Sequence, residues 1–301
     1  MDVLSDVVAI LRTGRPRSAR VAFAAPWAQE FAPVPGAAGF QVILRGSCWL
    51  VPPAGPPVPL AEGDVLFRPH GRGHVLADHP DSRPLGPACD ALGPYPARSV
   101  VDVAEPAVVT LCGAYELDPA RTHPLLHDLP EVVHLPGERS ELRACVDLLA
   151  AELDRPRLGT DAIVPALLDT LLLLILRACL DTAVADTPAR GWSAALSDPV
   201  VATAIQAVHR SPQTQWTVAG LAAEAGLSRA PFAARFARLV GQPPLRYLTC
   251  WRMTLAAGLL RDGDAPLAEI AATVGYGSEF AFAAAFKRQF GAAPGRWRRT
   301  A

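Results

Sequence analysis

The C-terminal third of the chain carries apolar residues at helical spacing, interrupted by regular turn signals. This period predicts helices at 199–210, 217–225, 228–240, 244–261, 267–274, 278–290 and 294–299. Between residues 18 and 115 the pattern differs, because short apolar runs such as Phe40–Leu44 and Val108–Cys112 alternate with Pro/Gly clusters. Regular short strands are typical of a β-sandwich or barrel. The pattern predicts an α+β chain with an N-terminal β-sandwich or barrel and a C-terminal all-α domain.

Further helices are predicted on either side of the strands. Residues 1–15 fit a short amphipathic helix, and residues 138–153 and 161–181 fit two more. The last has an apolar face broad enough to pack on the barrel or to form a subunit interface. Residues 182–198 are small and polar with one Trp, which is typical of a linker. The predicted domains are a β-strand domain at 1–137, a helical relay and dimer contact at 138–181, a linker at 182–198 and a helical domain at 199–301.

An internal repeat divides the helical domain into two similar units. Residues 217–247 repeat at 267–297, with one residue inserted after the turn. The matching pairs include Gly226 with Gly275, Phe232 with Phe282, and Phe236 with Phe286. A repeat of this length indicates two copies of one structural unit. The turn and capping residues predict that each copy is a helix-turn-helix and that the helix at 244–261 joins them.

Charge divides the chain at residue 198, directly before the predicted helical domain. The formal net charge is −1, but residues 1–198 carry 16 Arg against 24 Asp and Glu, and are therefore net −8. Residues 199–301 carry 12 Lys and Arg against 5 Asp and Glu, and are therefore net +7. A basic helical domain with two helix-turn-helix units indicates binding to double-stranded DNA.

The second helix of each unit supplies the predicted DNA contacts. Its inward face carries Phe, so its N-cap and outward residues are the candidates: Ser228, Arg229, Ala230, Ala233, Ala234, Arg235 and Arg238 in the first unit, and Ser278, Glu279, Phe280, Ala283, Ala284, Lys287 and Arg288 in the second. Arg and Lys bind phosphates, whereas Ala offers a base only an apolar contact with a thymine methyl group. We therefore expect phosphate contacts to supply much of the affinity.

The second unit carries a specific run of core, turn and capping residues: Ile270-Ala-x-x-Val274-Gly275-Tyr276-x-Ser278, Phe282-x-x-x-Phe286-Lys287-Arg288-x-Phe290-Gly291 and Pro294-Gly-x-Trp297-Arg298. This run closely resembles the C-terminal signature of the AraC/XylS family of transcription regulators. The resemblance implies a cytoplasmic regulator that acts with RNA polymerase. The chain departs from the family at one position of each recognition helix. The family usually has an Arg two residues before the inward Phe, where this sequence has Ala234 and Ala284.

The N-terminal region resembles the cupin sensor domains attached to some AraC-type regulators. Residues 63–74 fit the second cupin motif, G-x5-P-x-G-x2-H, which implies a small barrel that holds an effector. In a metal cupin the first motif supplies two His and one Glu, but here these positions fall on or near Pro33 and Pro35 and on Gly39. Since His74 alone remains, we expect no metal, no cofactor and no catalytic residue. The candidate effector contacts are Gln41, Trp49 and His74.

The cysteines and the apolar segments bear on location and on a second kind of signal. The six cysteines are scattered without a C-x-x-C pair, which favours reduced thiols in a cytoplasm. Cys89, in a Gly/Pro-rich loop, is the best candidate for a redox-sensing thiol. The apolar stretch at 163–180 is interrupted by Pro165, Asp169 and Arg177, so we expect a buried helix and no membrane span. Two alternatives stay open: a signal-independent regulator with a structural barrel, and a metal-dependent cupin enzyme fused to a DNA-binding domain.

Overall fold

The computed structural model describes residues 3–34, 36–84, 86–89, 98–101, 103–117, 129–186 and 191–300. The chain forms two compact units. One is Arg12–Cys179, and the other combines Met1–Leu11 with Leu180–Ala301. The first unit holds the β-sheets and the second is helical, so the predicted α+β class and the helical C-terminal domain are confirmed.

The first unit, here the β unit, contains two sheets. Their strands are β1 Arg12–Phe23, β2 Ala28–Phe31, β3 Ala37–Arg45, β4 Cys48–Val51, β5 Val58–Leu60, β6 Val65–Arg68, β7 His74–Ala77, β8 Arg98–Val101, β9 Val108–Leu117 and β10 Val133–Leu135. One sheet has the order β10-β6-β3-β9-β1-β8 and the other has the order β2-β7-β4-β5. The β1–β8 pair is parallel, and the other described pairs are antiparallel.

A shared core packs the two sheets face to face. Ile43 and Leu66 of the larger sheet lie in one apolar cluster with Phe31, Leu50 and Leu76 of the smaller sheet. The described strands do not close into the ring that a barrel requires, so the predicted barrel is corrected to two open sheets. The apolar pattern shows which strands exist and not how distant strands pair, which is why closure could not be predicted.

The β unit also contains helix α2, Ser140–Asp154, and most of helix α3, Thr160–Asp186, which extends past the end of the unit at Cys179. The Tyr115 hydroxyl donates a hydrogen bond of 2.5 Å to the Leu168 carbonyl, which ties α3 to β9. The segment Thr160–Asp181 has a mean hydropathy of 2.2, and among the described residues it is the one helix long and apolar enough to cross a membrane. Buried residues make up 44% of its most apolar window. The predicted helices at 138–153 and 161–181 are confirmed, and the second extends to Asp186.

The helical unit contains the remaining helices. They are α1 Val3–Leu11, α4 Trp192–Ser197, α5 Pro199–Arg210, α6 Val218–Glu224, α7 Arg229–Val240, α8 Pro244–Asp262, α9 Leu267–Thr273, α10 Glu279–Phe290 and α11 Pro294–Thr300. The seven helices predicted after residue 198 are all present, each within two residues of the predicted ends. Residues 187–190 of the predicted linker lie outside the described residues.

Two short helices alter the predicted domain boundaries. Helix α1 belongs to the helical unit, where the Asp6 carboxylate lies 3.3 Å from Nδ1 of His209. Helix α4 lies within the predicted linker, but Trp192 is only 2% exposed and its ring packs on Tyr247 at 5.6 Å. Residues 191–198 are therefore part of the folded unit and not a linker, because the single large apolar side chain of the segment finds an aromatic partner.

Candidate DNA-binding surface and effector cavity

The two helix-turn-helix units have matching turns and cores. Helices α6 and α7 are joined through Gly226, and α9 and α10 through Gly275, at φ values of +70° and +81°. This left-handed conformation favours glycine. The inward rings are Phe232 and Phe236 in the first unit and Phe282 and Phe286 in the second, with 5.7 Å between the ring centroids of each pair. All four side chains are fully buried.

Burial of these rings leaves the opposite face of α7 and α10 toward solvent. Ala233, Arg235 and Ala283 are half-buried, and the other predicted DNA contacts are exposed: Ser228, Arg229, Ala230, Ala234, Arg238, Ser278, Glu279, Phe280, Ala284, Lys287 and Arg288. The side-chain oxygen of Ser278 caps α10 by accepting a hydrogen bond from the Ala281 amide, whereas Ser228 occupies the same position on α7 without a side-chain capping bond. Phe280 is 90% exposed, which is unusual for a large apolar side chain.

Arg235 is held by a carboxylate of its own unit. Its guanidinium lies 2.6 Å from Asp198, which also caps α5 by accepting hydrogen bonds from the Val200 and Val201 amides. Burial alone would raise the pKa of Asp198, but the hydrogen bonds from Val201 and Arg235 outweigh it and lower that pKa. The predicted phosphate contact of Arg235 therefore competes with an ion pair that positions α5 against α7.

A buried arginine ties the two helix-turn-helix units together. On α8, Arg252 donates hydrogen bonds of 2.7 Å and 2.8 Å to the carbonyls of Pro212 and Thr214, which precede the first unit. Its guanidinium also lies 5.7 Å from the ring centre of Tyr276, in the turn of the second unit. Gln215 donates to the Gly275 carbonyl at 2.7 Å. We call these six residues, Pro212, Thr214, Gln215, Arg252, Gly275 and Tyr276, the inter-unit junction.

The β unit contains a cavity of about 410 Å³ between its sheets. Gln41 lines this cavity, and His74 lies behind it with Nε2 at 2.7 Å from Oε1 of Gln41. Because that oxygen can only accept, His74 donates from Nε2. The ring of Phe31 stacks on His74 at 4.7 Å. The structure thus brings two of the three predicted effector contacts together.

Trp49 is not part of this cavity. Along β4 it alternates with Cys48 and Leu50, whose side chains belong to the core between the sheets. Successive side chains of a strand point to opposite faces, so the half-buried Trp49 lies on the outer face of the smaller sheet. Its prediction as an effector contact is corrected for this reason.

An arginine occupies the space where a metal cupin would place its glutamate. Gly39 lies opposite Arg68 in the β3–β6 pair, and a Cβ built on Gly39 would lie 2.6 Å from Nη2 of Arg68. Pro35, one of the expected His positions, lies outside the described residues. Among the described residues, no group of three His, Cys, Asp or Glu side chains could hold a metal ion. The guanidinium thus stands beside the position from which a metal-binding carboxylate would be supplied.

Cys89 lines the same cavity and is half-buried. Cys112 also lines it, and burial, followed by the effect of Cys89, raises the pKa of Cys112 to about 12. Burial raises the pKa of Cys48 to about 12 and that of Cys145 to about 11. These three thiols are protonated at neutral pH, which is unfavourable for oxidant sensing because the thiolate is the reactive form.

Comparison with known proteins identifies the family. A family model described as "Cupin" matches residues 2–181, and one described as "Helix-turn-helix domain" matches residues 221–300. A putative AraC-like transcription regulator of Streptomyces lividans is 38% identical over 99% of this chain and 98% of its own length. The chain belongs to the AraC family of transcription regulators. The HTH-type transcriptional regulator MtrA of Neisseria gonorrhoeae is 29% identical over 99% of this chain and 98% of its own length.

One solved structure similar to part of this AraC-family chain contains DNA. The DNA-binding domain of AdpA in complex with a target DNA is 34% identical, covers 34% of this chain and 92% of that domain, and has a TM-score of 0.33. The two family models and the curated relatives make this chain a DNA-binding transcription regulator with an N-terminal cupin domain. These relatives are transcription regulators.

Sequence reasoning missed two residues of this AraC-family protein that the structure makes prominent. Arg68 ends strand β6 directly after three apolar residues, and its side chain fills the space left by Gly39, which is far away in sequence but lies opposite it on the neighbouring strand. Arg252 stands among buried Trp251, Met253 and Ala256 on α8. An arginine within an apolar helical face is a signal that it reaches buried acceptors, and this signal could have identified Arg252.

The buried His74 predicts how the stability of the β unit depends on pH. Burial and then the positive charge of Arg68 lower the pKa of His74 well below 6.5. The unfolded chain therefore binds a proton near pH 6.5 that the folded protein cannot bind, and folding stability falls as pH falls below that value. We expect His74 to contribute a loss of about 2 kcal/mol between pH 7 and pH 5.

The measurement is urea unfolding of the wild type and of His74→Gln at both pH values. The variant keeps a polar side chain and should lose less stability on acidification than the wild type. An equal loss in the two proteins would contradict the assignment.

Proposed function

We propose that this AraC-family protein is a cytoplasmic regulator that binds one DNA duplex through both helix-turn-helix units and changes its DNA affinity when an effector occupies the cupin cavity. The observation that carries the DNA part is the outward face of α7 and α10, on which Arg229, Arg238, Lys287 and Arg288 surround small residues. Two such helices enter successive major-groove segments when they are held about one turn, roughly 34 Å, apart. The inter-unit junction supplies a fixed connection for this arrangement.

Base recognition is assigned mainly to the N-terminal ends of the recognition helices. The middle of each outward face offers Ala234 or Ala284, which can only approach a thymine methyl group. At the start of α10, Glu279 can accept a hydrogen bond from a cytosine amino group, and the exposed Phe280 can contact a thymine methyl. Arginines and the lysine supply phosphate contacts, which are independent of sequence.

Arg288→Ala should weaken binding by a similar factor on every duplex tested. Loss of one phosphate contact should reduce the slope of log affinity against log salt by about one. The matched control is Arg210→Ala, which removes the same charge from α5, where Arg210 pairs with Glu224 at 3.3 Å. Fluorescence anisotropy at several salt concentrations measures both slopes. An unchanged slope in Arg288→Ala, or an equal change in both variants, would reject the assigned contact.

Arg235→Ala is a less specific test of the same idea. This change also removes the ion pair with Asp198, so a fall in DNA affinity would mix a lost phosphate contact with a displaced α5. Arg288 is the preferred position because its exposed side chain stands on α10 without such a carboxylate contact among the described residues.

The cavity supports a chemical signal rather than an enzymatic reaction. Its volume is within the range of small-molecule sites, and its lining is largely apolar with a few polar side chains. An oxidant signal at Cys89 is the second candidate, since Cys89 and Cys112 line the same cavity. Burial raises the pKa of Cys112, which disfavours Cys112 as a reactive thiolate partner of Cys89, and we favour a bound effector.

The partners of this regulator are proposed to include RNA polymerase and a second copy of the chain. The helices α2 and α3 expose apolar side chains, with Leu148 at 59% and Ile163 at 42% exposure. A homodimer through this face would bury them. Sedimentation at micromolar concentration tests the dimer, and a monomer would contradict it.

A further inference from the structure

The polar end of the cavity is built on two rows of residues that cross the larger sheet. Residues directly opposite each other on neighbouring strands have side chains on the same face. The first row, read from the pairings of β6, β3, β9 and β1, is Arg68, Gly39, Ala114 and Arg17. The second row is Leu66, Gln41, Cys112 and Ala19. Two arginines thus flank two of the smallest residues in the sheet, next to Gln41.

Arg68 is a buried cation at this end of the cavity. It is 7% exposed, lines the cavity, and donates from Nη1 to the Arg72 carbonyl at 2.6 Å. Its Nε has no hydrogen-bond partner among the described residues. No Asp or Glu of the described residues lines the cavity. A buried guanidinium without a carboxylate partner destabilises the folded protein, because only an opposite charge and good hydrogen bonds offset the free energy of removing a charge from water.

A second polar group lines the cavity beside Arg68. Nε2 of Gln41 is buried and has no hydrogen-bond partner among the described residues. The Oε1 atom of Gln41 is hydrogen-bonded to His74, and this bond orients the amide so that its NH₂ group faces away from that histidine. The Gln41 amide and the Arg68 guanidinium therefore present hydrogen-bond donors to one region of the cavity. Donors beside a positive charge suit an acceptor that carries negative charge.

The remainder of the cavity is apolar. Apart from Gln29 and the two cysteines, it is lined by apolar residues that include Val21, Phe23, Phe31 and Ala88. A fully polar anion such as inorganic phosphate would leave these surfaces uncovered, and a neutral apolar molecule would leave Arg68 unpaired. The lining is therefore complementary to a molecule with a negatively charged end and an apolar body.

We propose that the cavity binds a small organic acid whose carboxylate pairs with Arg68 and Gln41 and whose apolar body lies against the phenylalanine rings. This rests on the proposed function, because it names the chemical class of the effector. The planar guanidinium matches a carboxylate through two parallel hydrogen bonds. Arg68 is thus the specificity-determining residue of the site, and it lies beside Gly39, the position at which the first cupin motif would supply a glutamate.

The test compares acids with their neutral amides on the full-length protein. The probes are 2-naphthoate with 2-naphthamide and decanoate with decanamide, titrated by calorimetry at pH 7.5. We expect at least one acid to bind about ten-fold more tightly than its amide, because the amide cannot neutralise the guanidinium. Equal binding of acid and amide in both pairs, or no binding of either acid at millimolar concentration, would overturn the proposal.

Two variants locate the preference within the cavity. Arg68→Met keeps the length of the side chain and removes the charge, and should abolish the preference for the acid while leaving amide binding intact. Arg72→Met is the matched control, since Arg72 is exposed, pairs with Glu131 at 2.8 Å and contributes only its backbone carbonyl to Arg68. Retention of the acid preference in Arg68→Met would overturn the proposal. The acid–amide comparison on the wild type stands even if this variant does not fold.

A separate titration of DNA distinguishes this proposal from the regulatory function on which it rests. Acid binding that leaves DNA affinity unchanged would support the carboxylate site and contradict effector control of DNA binding. A change in DNA affinity caused by an amide and not by its acid would support effector control and overturn the carboxylate class. DNA affinity without any added acid reports on the helix-turn-helix units alone.

Discussion

Gly275→Ala should lower the free energy of unfolding of the helical unit by about 3 kcal/mol or more, whereas Gly226→Ala should lower it by about 1 kcal/mol. Both glycines occupy the same place in the repeat, with φ values of +81° and +70°. Alanine pays the same backbone penalty at both, of about 1 kcal/mol. The expected difference therefore comes from what surrounds the new methyl group.

The surroundings of the two turns differ because only the second turn belongs to the inter-unit junction. A Cβ on Gly275 would lie 2.7 Å from the Gln213 carbonyl oxygen, 2.8 Å from the Gln213 Cα and 2.6 Å from Nη2 of Arg252. On Gly226 the same atom would have no neighbour within 4 Å. The backbone at Gln213 cannot retreat without breaking the junction.

Urea unfolding of the two variants, followed by far-ultraviolet circular dichroism, measures the difference. The Gly226→Ala variant is the matched control, since it introduces the same atom in the same conformation. Equal losses in the two variants would mean that the close contact at Gly275 relaxes without cost.

Arg252→Ala should cost about 3 kcal/mol of stability and reduce affinity for a two-site duplex at least about ten-fold. The side chain is 8% exposed, and its two hydrogen bonds serve the carbonyls of Pro212 and Thr214. Hydrogen bonds from a charged group are worth about 1.5–3 kcal/mol each, and their loss leaves these acceptors unpaired. The loss of affinity is expected because the junction fixes one recognition helix relative to the other.

Binding to duplexes of different spacing separates the two effects of this change. The wild type should bind both segments of a duplex only at one spacing, so that five inserted base pairs abolish two-site binding. The Arg252→Ala variant should discriminate less between the original duplex and the duplex with the insertion. Arg261→Ala, on the same helix, is the control, because its guanidinium pairs with the adjacent Asp262 at 2.6 Å. If Arg252→Ala kept the spacing preference of the wild type, the junction would not set the geometry of binding.

The sequence predicted the helical domain well because its information is local. Each helix there has a regular apolar face and its own turn glycine, as at Gly226 and Gly275, and the repeat supplied the same answer twice. The outward residues of α7 and α10 followed directly from the positions of the inward phenylalanines.

The β unit was predicted less completely because its key relations join distant residues. Strands β2, β5, β7 and β10 have only three or four residues each, which is too short for alternation to show. The burial of Arg68 beside Gly39 links positions 29 residues apart. Trp49 is a different case, since its alternation with Cys48 and Leu50 already indicated the outer face.

The assignment of α1 and α4 to the helical unit determines how its DNA-binding part can be isolated. The Tyr247 hydroxyl lies 2.5 Å from His209 Nε2, Asp6 approaches the other nitrogen of the same ring, and Trp192 packs on Tyr247. Because Asp6 precedes the whole β unit in the chain, a single proteolytic cut cannot release an intact helical unit. A fragment that begins at Pro199 keeps both recognition helices. It lacks Asp6 and Trp192, whose side chains contact His209 and Tyr247 in the core beside the first helix-turn-helix unit.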